Sequence, residues 1–325
     1  MGLRLPAIHH LSVSRPLLPI FCHAYDRSLV RLFSFFVKPK RGYVPPDARF
    51  VPASPDDVAN PAPLAPRFQP DKDGALKFEV ESPVASAWPE SQMLRGRALG
   101  PTDAKAAIIV LHGACDNEYT YSRWMGQSFL KHGFRALLPA APCHLDRAPK
   151  GSLPGSPMFW SAPAVVAGMA QWLAEIRGLM GYLRGEGAET IGLIGYSIGS
   201  LTAGIAATLW SDLDFACLLA PVGHHLRALE TSRVARTLWP WMSDLPPDET
   251  ALLDRWSALH RQPVAGRPLF LMTEFDLLQP YALQQDWWQT WNQPECHRYR
   301  HGHMSILFGK QLYRDLEAFA AGFVK

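Results

Sequence analysis

A chain of 325 residues is long enough for one large α/β domain with appendages or for two modest domains. Its hydrophobic content of 48% and charged content of 19% are close to globular averages, which argues against disorder of the chain as a whole. No run of about 18 uninterrupted apolar residues occurs, so a membrane-spanning helix is not expected. The net charge of +3 is too small to indicate a nucleic-acid partner.

Basic charge is concentrated near the N-terminus, whereas the cysteines are scattered. Residues 1–50 contain eight Lys or Arg against two Asp or Glu, and a local basic surface of this kind favours anionic partners. The cysteines are odd in number and contain no CxxC pair: Cys22, Cys115, Cys143, Cys217 and Cys296. They are interpreted as reduced thiols, which favours a cytosolic location. Arg15, Pro16 and Pro19 interrupt the first apolar stretch, so the sequence does not predict a secretory signal peptide.

The first 70 residues are predicted to form an N-terminal arm and a proline-rich linker. An apolar stretch from Leu29 to Val37 is followed by the basic residues Lys38, Lys40 and Arg41. It is interpreted either as a helix packed on the main domain or as an interfacial helix that touches a membrane or covers the substrate entrance. The segment from Pro45 to Pro70 contains eight prolines and little periodic apolar pattern, which predicts an extended linker.

From residue 71 to residue 325 the pattern predicts one domain in which strands and helices alternate. Leu76–Glu81 and Met93–Ala98 are predicted as paired strands, and Ala106–Leu111 is an apolar run typical of a strand buried on both faces. The clearest helix begins near Val165, repeats every 3.6 residues and stops before Gly187. Further strands are predicted at Phe134–Leu138, Ile191–Ile194, Phe215–Ala220 and Leu269–Met272, and further helices at Tyr121–Phe129, Leu201–Trp210, Ala282–Trp291 and Gln311–Phe323. This alternation predicts a mostly parallel central sheet with helices on both faces.

The interval from His224 to Gly266 interrupts the alternation. It is richer in helix-forming residues and contains Trp239, Pro240 and Trp241. Because it is too long for a simple connection, it is predicted to be a small helical lid inserted into the domain.

A glycine-flanked serine lies between a predicted strand and a predicted helix, in the pentapeptide Gly195-Tyr196-Ser197-Ile198-Gly199. A sharp turn of this kind holds its serine in a strained conformation, and side chains at the two glycine positions would collide with the turn. Chance alone produces the pattern in roughly one of ten chains of this length, so the strand-to-helix context matters more than the pattern. Ser197 is the candidate nucleophile, and a plain turn with an incidental serine is the alternative.

The segment Leu111-His112-Gly113-Ala114 follows the buried strand. A reaction through a tetrahedral intermediate needs N–H donors aimed at the developing oxyanion. The backbone N–H groups of Ala114 and Ile198 are the candidate oxyanion-hole donors. His112 is interpreted as a residue that shapes this loop and not as a base.

Two acidic residues and three histidines supply the candidates for acid and base. Glu274 and Asp276 directly follow the strand Leu269–Met272, so both are expected at the same rim of the sheet as the serine. His303 follows a glycine just before the closing helix and is the candidate base, with His301 as the alternative. A metal site made of these two histidines and His297 is disfavoured, because no acidic or cysteine partner of suitable spacing accompanies them.

The chain from about Leu76 onwards resembles the α/β-hydrolase superfamily in the Leu111-His112-Gly113 segment, the pentapeptide around Ser197, and the order of serine, acid and base. Within that superfamily, the segments 112–117 and 138–149 are similar to the bacterial relatives of the domain-containing-eighteen group. The resemblance implies the α/β-hydrolase fold. It also favours Asp276 over Glu274 as the acid, because Pro280 follows at the distance common in the family.

The resemblance implies a serine hydrolase of the esterase or lipase kind that cleaves carboxylic esters through an acyl-enzyme and needs no metal or organic cofactor. Asp276 would orient His303, and His303 would activate Ser197. Acyltransferase, thioesterase and carbon–carbon bond hydrolase activities on the same triad remain alternatives, as does a non-catalytic binding protein on this scaffold.

Three aromatic residues are predicted to contact substrate: Tyr196, Trp239 and Trp241. An aromatic lid suits a small-molecule ester with an apolar acyl or aryl group, whereas core packing is the alternative interpretation of the two tryptophans. A nucleic-acid partner is not expected, and peripheral membrane contact through the N-terminal arm is left open.

Overall fold

The computed structural model describes residues 18–36, 51–58, 60–71, 74–114, 116, 118–152 and 155–323, and only the backbone of residues 32–36. Its strands are β1 (Arg67–Pro70), β2 (Leu76–Glu81), β3 (Met93–Leu99), β4 (Ala106–Leu111), β5 (Phe134–Pro139), β6 (Thr190–Tyr196), β7 (Phe215–Leu219), β8 (Pro268–Thr273) and β9 (Glu295–Tyr299). Its α-helices are α1 (Leu18–Phe36), α2 (Thr120–Leu130), α3 (Ala162–Gly185), α4 (Ile198–Leu209), α5 (Arg227–Thr231), α6 (Arg233–Leu238), α7 (Pro247–Arg255), α8 (Tyr281–Thr290) and α9 (Lys310–Ala321).

The described strands form one sheet in the order β1-β2-β3-β5-β4-β6-β7-β8-β9. The strands β1, β2 and β3 are antiparallel to their neighbours, and all pairs from β5 to β9 are parallel. The mostly parallel sheet predicted from the alternation of apolar runs is therefore confirmed. Parallel strands need crossover connections, and the helices that make them cover the sheet.

The sheet separates two apolar cores. Along β4, Ile109 and Leu111 face the core that α3, α4 and α8 cover, whereas Ile108 and Val110 face the core that α2 and α9 cover. Since successive side chains of a strand point to opposite faces, a strand buried on both sides must be apolar throughout, as this one is. The sheet thereby provides a rigid base for the loops at its carboxyl edge.

Several elements differ from the sequence-based expectation at their ends. The helix α3 begins three residues before the predicted Val165, because the Ser161 hydroxyl accepts a hydrogen bond from the N–H of Ala164 and Pro163 occupies the first turn. The strand β9, which pairs with β8, was not predicted, because the short sequence from Glu295 to Tyr299 has no apolar alternation.

The proline-rich segment is only partly the extended linker that was predicted. Its last residues form β1, an edge strand in which Pro70 is tolerated because one side of the strand has no ladder partner. Before β1, the N–H of Leu64 donates to the carbonyl of Gly178 in α3 at 3.0 Å, and Pro63 lies against Gly181. The segment from Pro63 onwards is therefore attached to the domain by backbone contacts.

The N-terminal helix α1 packs on the domain along its described side chains. Leu29 and Val30 are buried, and Leu29 belongs to the core that α2 and α9 cover. The helix contacts α6 and the 3-10 turn Ser305–Phe308. The apolar side chains from residue 32 to residue 37 lie outside the described residues, so the membrane hypothesis stays a prediction. Within the described part of the chain, no helix has both the length and the hydropathy to cross a bilayer.

The predicted lid interval lies between β7 and β8 and contains α5, α6, the 3-10 turn Pro240–Asp244 and α7. The Ser232 side chain caps α6 by accepting from the N–H of Ala235, and its hydroxyl also donates to the carbonyl of Leu277. The interval is thus helical and is tied to the loop that follows β8.

Candidate active site

Ser197 lies at the sharp turn between β6 and α4. Its backbone has φ of 57° and ψ of −119°, a combination that an L-residue adopts only when the surroundings enforce it. The N–H of Ser197 donates to the carbonyl of Leu219 on the neighbouring strand β7 at 3.1 Å. The Ser200 hydroxyl donates to the carbonyl of Ser197 at 2.6 Å and accepts from the N–H of Val222 at 2.9 Å. These bonds hold the strained backbone in place.

The two glycines of the pentapeptide permit a close approach of backbone to backbone. A Cβ on Gly195 would lie 2.0 Å from the carbonyl oxygen of Gly199, and a Cβ on Gly199 would lie 2.2 Å from the carbonyl oxygen of Leu111. Neither neighbour is a side chain that can rotate away. The turn therefore requires glycine at both positions for steric reasons, as the sequence analysis expected.

The structure brings Ser197, His303 and Asp276 together in one hydrogen-bonded chain. The distance from Ser197 Oγ to His303 Nε2 is 2.8 Å, and that from His303 Nδ1 to Asp276 Oδ2 is also 2.8 Å. His303 and Asp276 are buried, with exposed fractions of 3% and 4%. Because the carboxylate accepts only, Nδ1 carries the proton and donates it, so Nε2 of the neutral ring accepts from the serine hydroxyl.

Asp276 is held by a dense set of donors. Its Oδ1 accepts from the N–H groups of Leu278 and Gln279 at 2.8 Å each, and its Oδ2 accepts from the Thr273 hydroxyl at 2.9 Å. Glu274, the alternative acid, is only partly buried and uses its backbone N–H to bond Tyr299. The structure therefore places Asp276, and not Glu274, against the imidazole.

The electrostatics at His303 result from opposing effects. Burial opposes the charged imidazolium, but the charge and hydrogen bond of Asp276 together with the charge of Asp26 outweigh it, so the pKa of His303 is raised above 6.5. The environment consequently favours an imidazole that takes up a proton, which is the property that a general base requires.

The loop after β4 is shaped by His112. The N–H of Ala141 donates to His112 Nε2 at 2.9 Å, so the ring proton is on Nδ1, which donates to the carbonyl of Gly113 at 2.8 Å. Burial lowers the pKa of His112, which agrees with a neutral ring. Gly113 is packed tightly, because a Cβ there would lie 2.5 Å from the Tyr196 ring. The loop is thereby fixed beside the serine, with His112 in the structural position that its sequence context indicated.

The two candidate oxyanion donors lie beside the serine and line the same pocket. Ile198 is the first residue of α4, where backbone N–H groups have no partner inside the helix and the helix dipole favours negative charge. Among the described residues, the N–H groups of Ala114 and Ile198 donate no hydrogen bond. Both are therefore available to a ligand atom.

The serine opens into a mainly apolar pocket that is lined in part by the predicted lid interval. The lid contributes Ala228, Leu238, Trp239 and Met242 to its lining. Tyr196 also lines the pocket, and its hydroxyl donates to the carbonyl of His303 at 2.9 Å.

Trp241, the third predicted substrate contact, is not part of this lining; it packs against the core, and its buried indole N–H has no partner among the described residues. The prediction for Trp241 thus differs from the structure. Trp239 precedes the 3-10 turn Pro240–Asp244, whereas Trp241 is its second residue, so the two side chains leave the backbone in different directions.

The remaining histidines of the tail do not join the serine. His301, the alternative base, has a buried Nδ1 without a hydrogen bond among the described residues, and burial lowers its pKa. His297 lies on β9 near Glu295 and Asp315. No group of three or more potential metal ligands occurs within the described part of the chain.

Two residues at the site escaped the sequence analysis. Asp26 of α1 accepts hydrogen bonds from the N–H groups of His303 and Met304 at 2.9 and 3.1 Å. Gln284 of α8 donates to the Thr273 hydroxyl at 3.0 Å and lies 3.4 Å from Asp276 Oδ2. Neither belongs to a motif, and their only sequence signal is a polar residue within an otherwise apolar helix face.

Comparison with known proteins supports the fold. An acetyl xylan esterase from a Paenibacillus species aligns with 95% of this chain and 97% of its own, with a TM-score of 0.60 and 16% identity. The uncomplexed acylaminoacyl peptidase of Pyrococcus horikoshii covers 81% of this chain, which spans 42% of that protein, with a TM-score of 0.58 and 15% identity. Residues 70–225 match the sequence model of the family "Alpha/beta hydrolase domain containing 18". The chain is an α/β hydrolase by fold.

The curated relatives by sequence supply no activity for this chain. Two uncharacterized proteins of Mycobacterium tuberculosis are 27% identical over 193 residues, which is 57% of this chain and 46% of each relative. The chain therefore spans about half the length of the curated relatives it matches. The family match includes the pentapeptide around Ser197 and ends before Asp276 and His303, so their assignment depends on the geometry described above.

Proposed function

We propose that this α/β hydrolase is a serine esterase in which Ser197 is the nucleophile, His303 the general base and Asp276 the residue that orients the base. One observation supports this proposal above the others, namely the unbroken chain of two 2.8 Å hydrogen bonds from the serine hydroxyl through the imidazole to the carboxylate. Nucleophile and base are already within the distance that proton transfer requires.

The proposed reaction has two acyl-transfer steps. His303 Nε2 takes the proton of the Ser197 hydroxyl as the oxygen forms a bond to the ester carbonyl carbon. When the tetrahedral intermediate collapses, the bond to the alkoxy group breaks and His303 gives its proton to the departing alcohol. Water then attacks the acyl-serine, His303 accepts a proton from it, and the carboxylic acid leaves as the serine regains its proton. Asp276 stabilises the imidazolium in both steps.

The developing oxyanion is assigned to the N–H groups of Ala114 and Ile198. Both line the pocket beside the serine, and the second also lies at the positive end of α4. Removal of one such donor typically lowers kcat by about 100- to 1,000-fold. Backbone donors fixed by a rigid turn need no reorganisation during the reaction, which suits this role.

The lining of the pocket supports the proposed substrate class. Apolar lid side chains, including Trp239, favour an ester whose acyl or aryl group is apolar. The structural neighbours include esterases and an acylaminoacyl peptidase, so amide cleavage is the nearest alternative. We assign the ester because the apolar lining presents little that would bind the backbone polar groups of a peptide.

The first experiment is to incubate the purified chain with a fluorophosphonate probe and with p-nitrophenyl acetate, butyrate and octanoate. The proposal predicts labelling and ester hydrolysis that vanish in Ser197→Ala and persist in Ser128→Ala, which removes a buried hydroxyl of α2 that does not line the pocket. Hydrolysis retained by Ser197→Ala would refute the proposed nucleophile. A folded chain that is not labelled would instead indicate a binding protein on this scaffold, and added alcohols that appear in ester products would indicate a transferase.

A further inference from the structure

The helix α1 brings a buried carboxylate to the loop that carries His303. Asp26 has no exposed surface, although it lies 277 residues from His303 in sequence. Its Oδ2 accepts from the N–H of His303 at 2.9 Å, and its Oδ1 accepts from the N–H of Met304 at 3.1 Å. Both oxygens of one carboxylate thus bind successive backbone groups of the same loop.

The contact between Asp26 and the loop that contains His303 requires a glycine at position 302. A Cβ on Gly302 would lie 2.6 Å from Asp26 Oδ2, so a side chain at that position would push the carboxylate away. The same surface of α1 also contributes Cys22, which is fully buried and lies 3.3 Å from the Ser305 hydroxyl. The Ser305 hydroxyl in turn accepts from the N–H of Gly302 at 2.9 Å. The loop and the helix therefore fit each other over residues 302–305.

His303 is held at three places by three different elements. Its N–H binds Asp26 of α1, its carbonyl accepts from the Tyr196 hydroxyl at the end of β6, and its Nδ1 binds Asp276 in the loop after β8. Among the described residues, Asp26 forms no ion pair with a lysine or arginine. A buried carboxylate without such a partner is costly to a protein, which points to a role in the site and not in general stability.

We propose that Asp26 is a positioning residue for His303. The helix α1 thereby contributes to the active site, because it supplies the carboxylate that holds the loop containing His303 in place. This inference rests on the proposed function for its kinetic consequence only. The groups that face the imidazole are Asp276, Asp26, Ser197 and Tyr196, and the two carboxylates both favour its charged form.

The titration of Asp26 agrees with this placement. Burial and the neighbouring charge of Asp276 raise the pKa of Asp26 to about 6, whereas the charge of His303 and the two backbone hydrogen bonds oppose the increase. Above that pH the carboxylate is charged and accepts from both N–H groups. Below it, the added proton removes a negative charge from the neighbourhood of His303.

The test uses the full chain and compares Asp26→Asn with the wild type. The variant keeps the shape of the side chain but loses the charge and one acceptor. We expect kcat for p-nitrophenyl butyrate to fall by about 10- to 100-fold with KM within about twofold, because a small displacement of a reacting group has effects of this size. We also expect the pKa of His303 to fall, measured by NMR of histidine-labelled protein with His303→Gln for assignment.

Cys22→Ser is the matched control, because it changes a buried contact of the same helix with the same loop and leaves the carboxylate in place. It is expected to retain the kcat and the His303 titration of the wild type. Should Asp26→Asn not fold, Gly302→Ala separates the carboxylate from the loop without altering charge and is expected to lower kcat in the same way.

The NMR titration separates this inference from the proposed function. The positioning role of Asp26 is refuted if Asp26→Asn, or Gly302→Ala in its place, leaves both kcat and the His303 titration unchanged. It is also refuted if Cys22→Ser lowers kcat as much as Asp26→Asn does. If the His303 titration changes as expected but the wild type hydrolyses no ester, the positioning role stands and the proposed esterase activity is wrong.

Discussion

Replacing Gly195 with alanine is the sharpest test of the strained turn at Ser197. In the structure, a Cβ at this position would lie 2.0 Å from the carbonyl oxygen of Gly199, about 1.4 Å short of the 3.4 Å at which ordinary contact begins. The next nearest atoms, at 2.3 and 2.6 Å, also belong to backbone, in Gly199 and Ser200. No side-chain rotation can relieve the overlap, so the first turn of α4 has to move.

The size of that movement determines the expected effect. Overpacking of a filled interior usually costs about 1–3 kcal/mol, and we expect Gly195→Ala at the upper end, near 3 kcal/mol, because only backbone can yield. A displacement of about 1 Å at Ser197 is sufficient to lower the reaction rate by about 100-fold. Urea unfolding measures the first effect, and the second-order rate of fluorophosphonate labelling measures the second.

Gly185→Ala is the matched control, because it makes the same chemical change at the end of α3. Among the described residues, no atom outside the neighbouring backbone of the same helix lies within 4 Å of the added methyl group, and the backbone there is helical. The control is expected to be neutral or to stabilise the protein by about 0.4–1 kcal/mol, since alanine restricts the unfolded chain more than glycine does. If Gly195→Ala equals this control in stability and in labelling rate, the steric account of the turn is refuted.

Three further predictions concern the core, the base and the lid. Glu175→Gln leaves the fully buried guanidinium of Arg147 without its carboxylate partner. We expect urea unfolding to show a free energy of unfolding that is lower by about 3–5 kcal/mol. An unchanged unfolding midpoint would contradict this expectation. Burial lowers the pKa of His303, but the nearby carboxylates raise it by more. We therefore expect kcat/KM to fall with decreasing pH through a midpoint above 6.5. A pH profile with a midpoint below 6.5 would be inconsistent with the site. Trp239→Ala should shift the preference among p-nitrophenyl esters towards longer acyl chains, because it enlarges the pocket. Trp241→Ala should leave the order of preference unchanged. The opposite pattern would show that the lid is oriented differently.

The sequence alone was sufficient for the central strands and for the turn at Ser197. Strands buried on both faces have to be apolar throughout, so Ala106–Leu111 is recognisable without any partner, and its predicted bounds agree with β4. The turn is equally local, because the two glycines are required by backbone atoms at most a few residues away or on the adjacent strand. These features follow from short-range sterics and periodicity.

Tertiary structure was needed wherever several residues of one type were available. Glu274 and Asp276 stand at the same strand end, and His301 and His303 flank one glycine, so the sequence favours Asp276 only through the family resemblance and leaves His301 open as an alternative base. Only the path of the chain places Asp276 and His303 within 2.8 Å of each other. The lid is a similar case, since the direction in which Trp239 and Trp241 point depends on the turn between them.

Asp26 is the clearest case of a residue whose role the sequence does not predict. Its only sequence signal is a polar residue within an otherwise apolar helix face, and the N-terminal segment is predicted as an arm that packs on the main domain or touches a membrane or the substrate entrance, without any role for Asp26. Its importance arises from contacts with backbone N–H groups 277 and 278 residues away. Hydrogen bonds to backbone place no requirement on the side chain of the partner, so they leave no sequence pattern, and only the folded arrangement of α1 against the His303 loop reveals them.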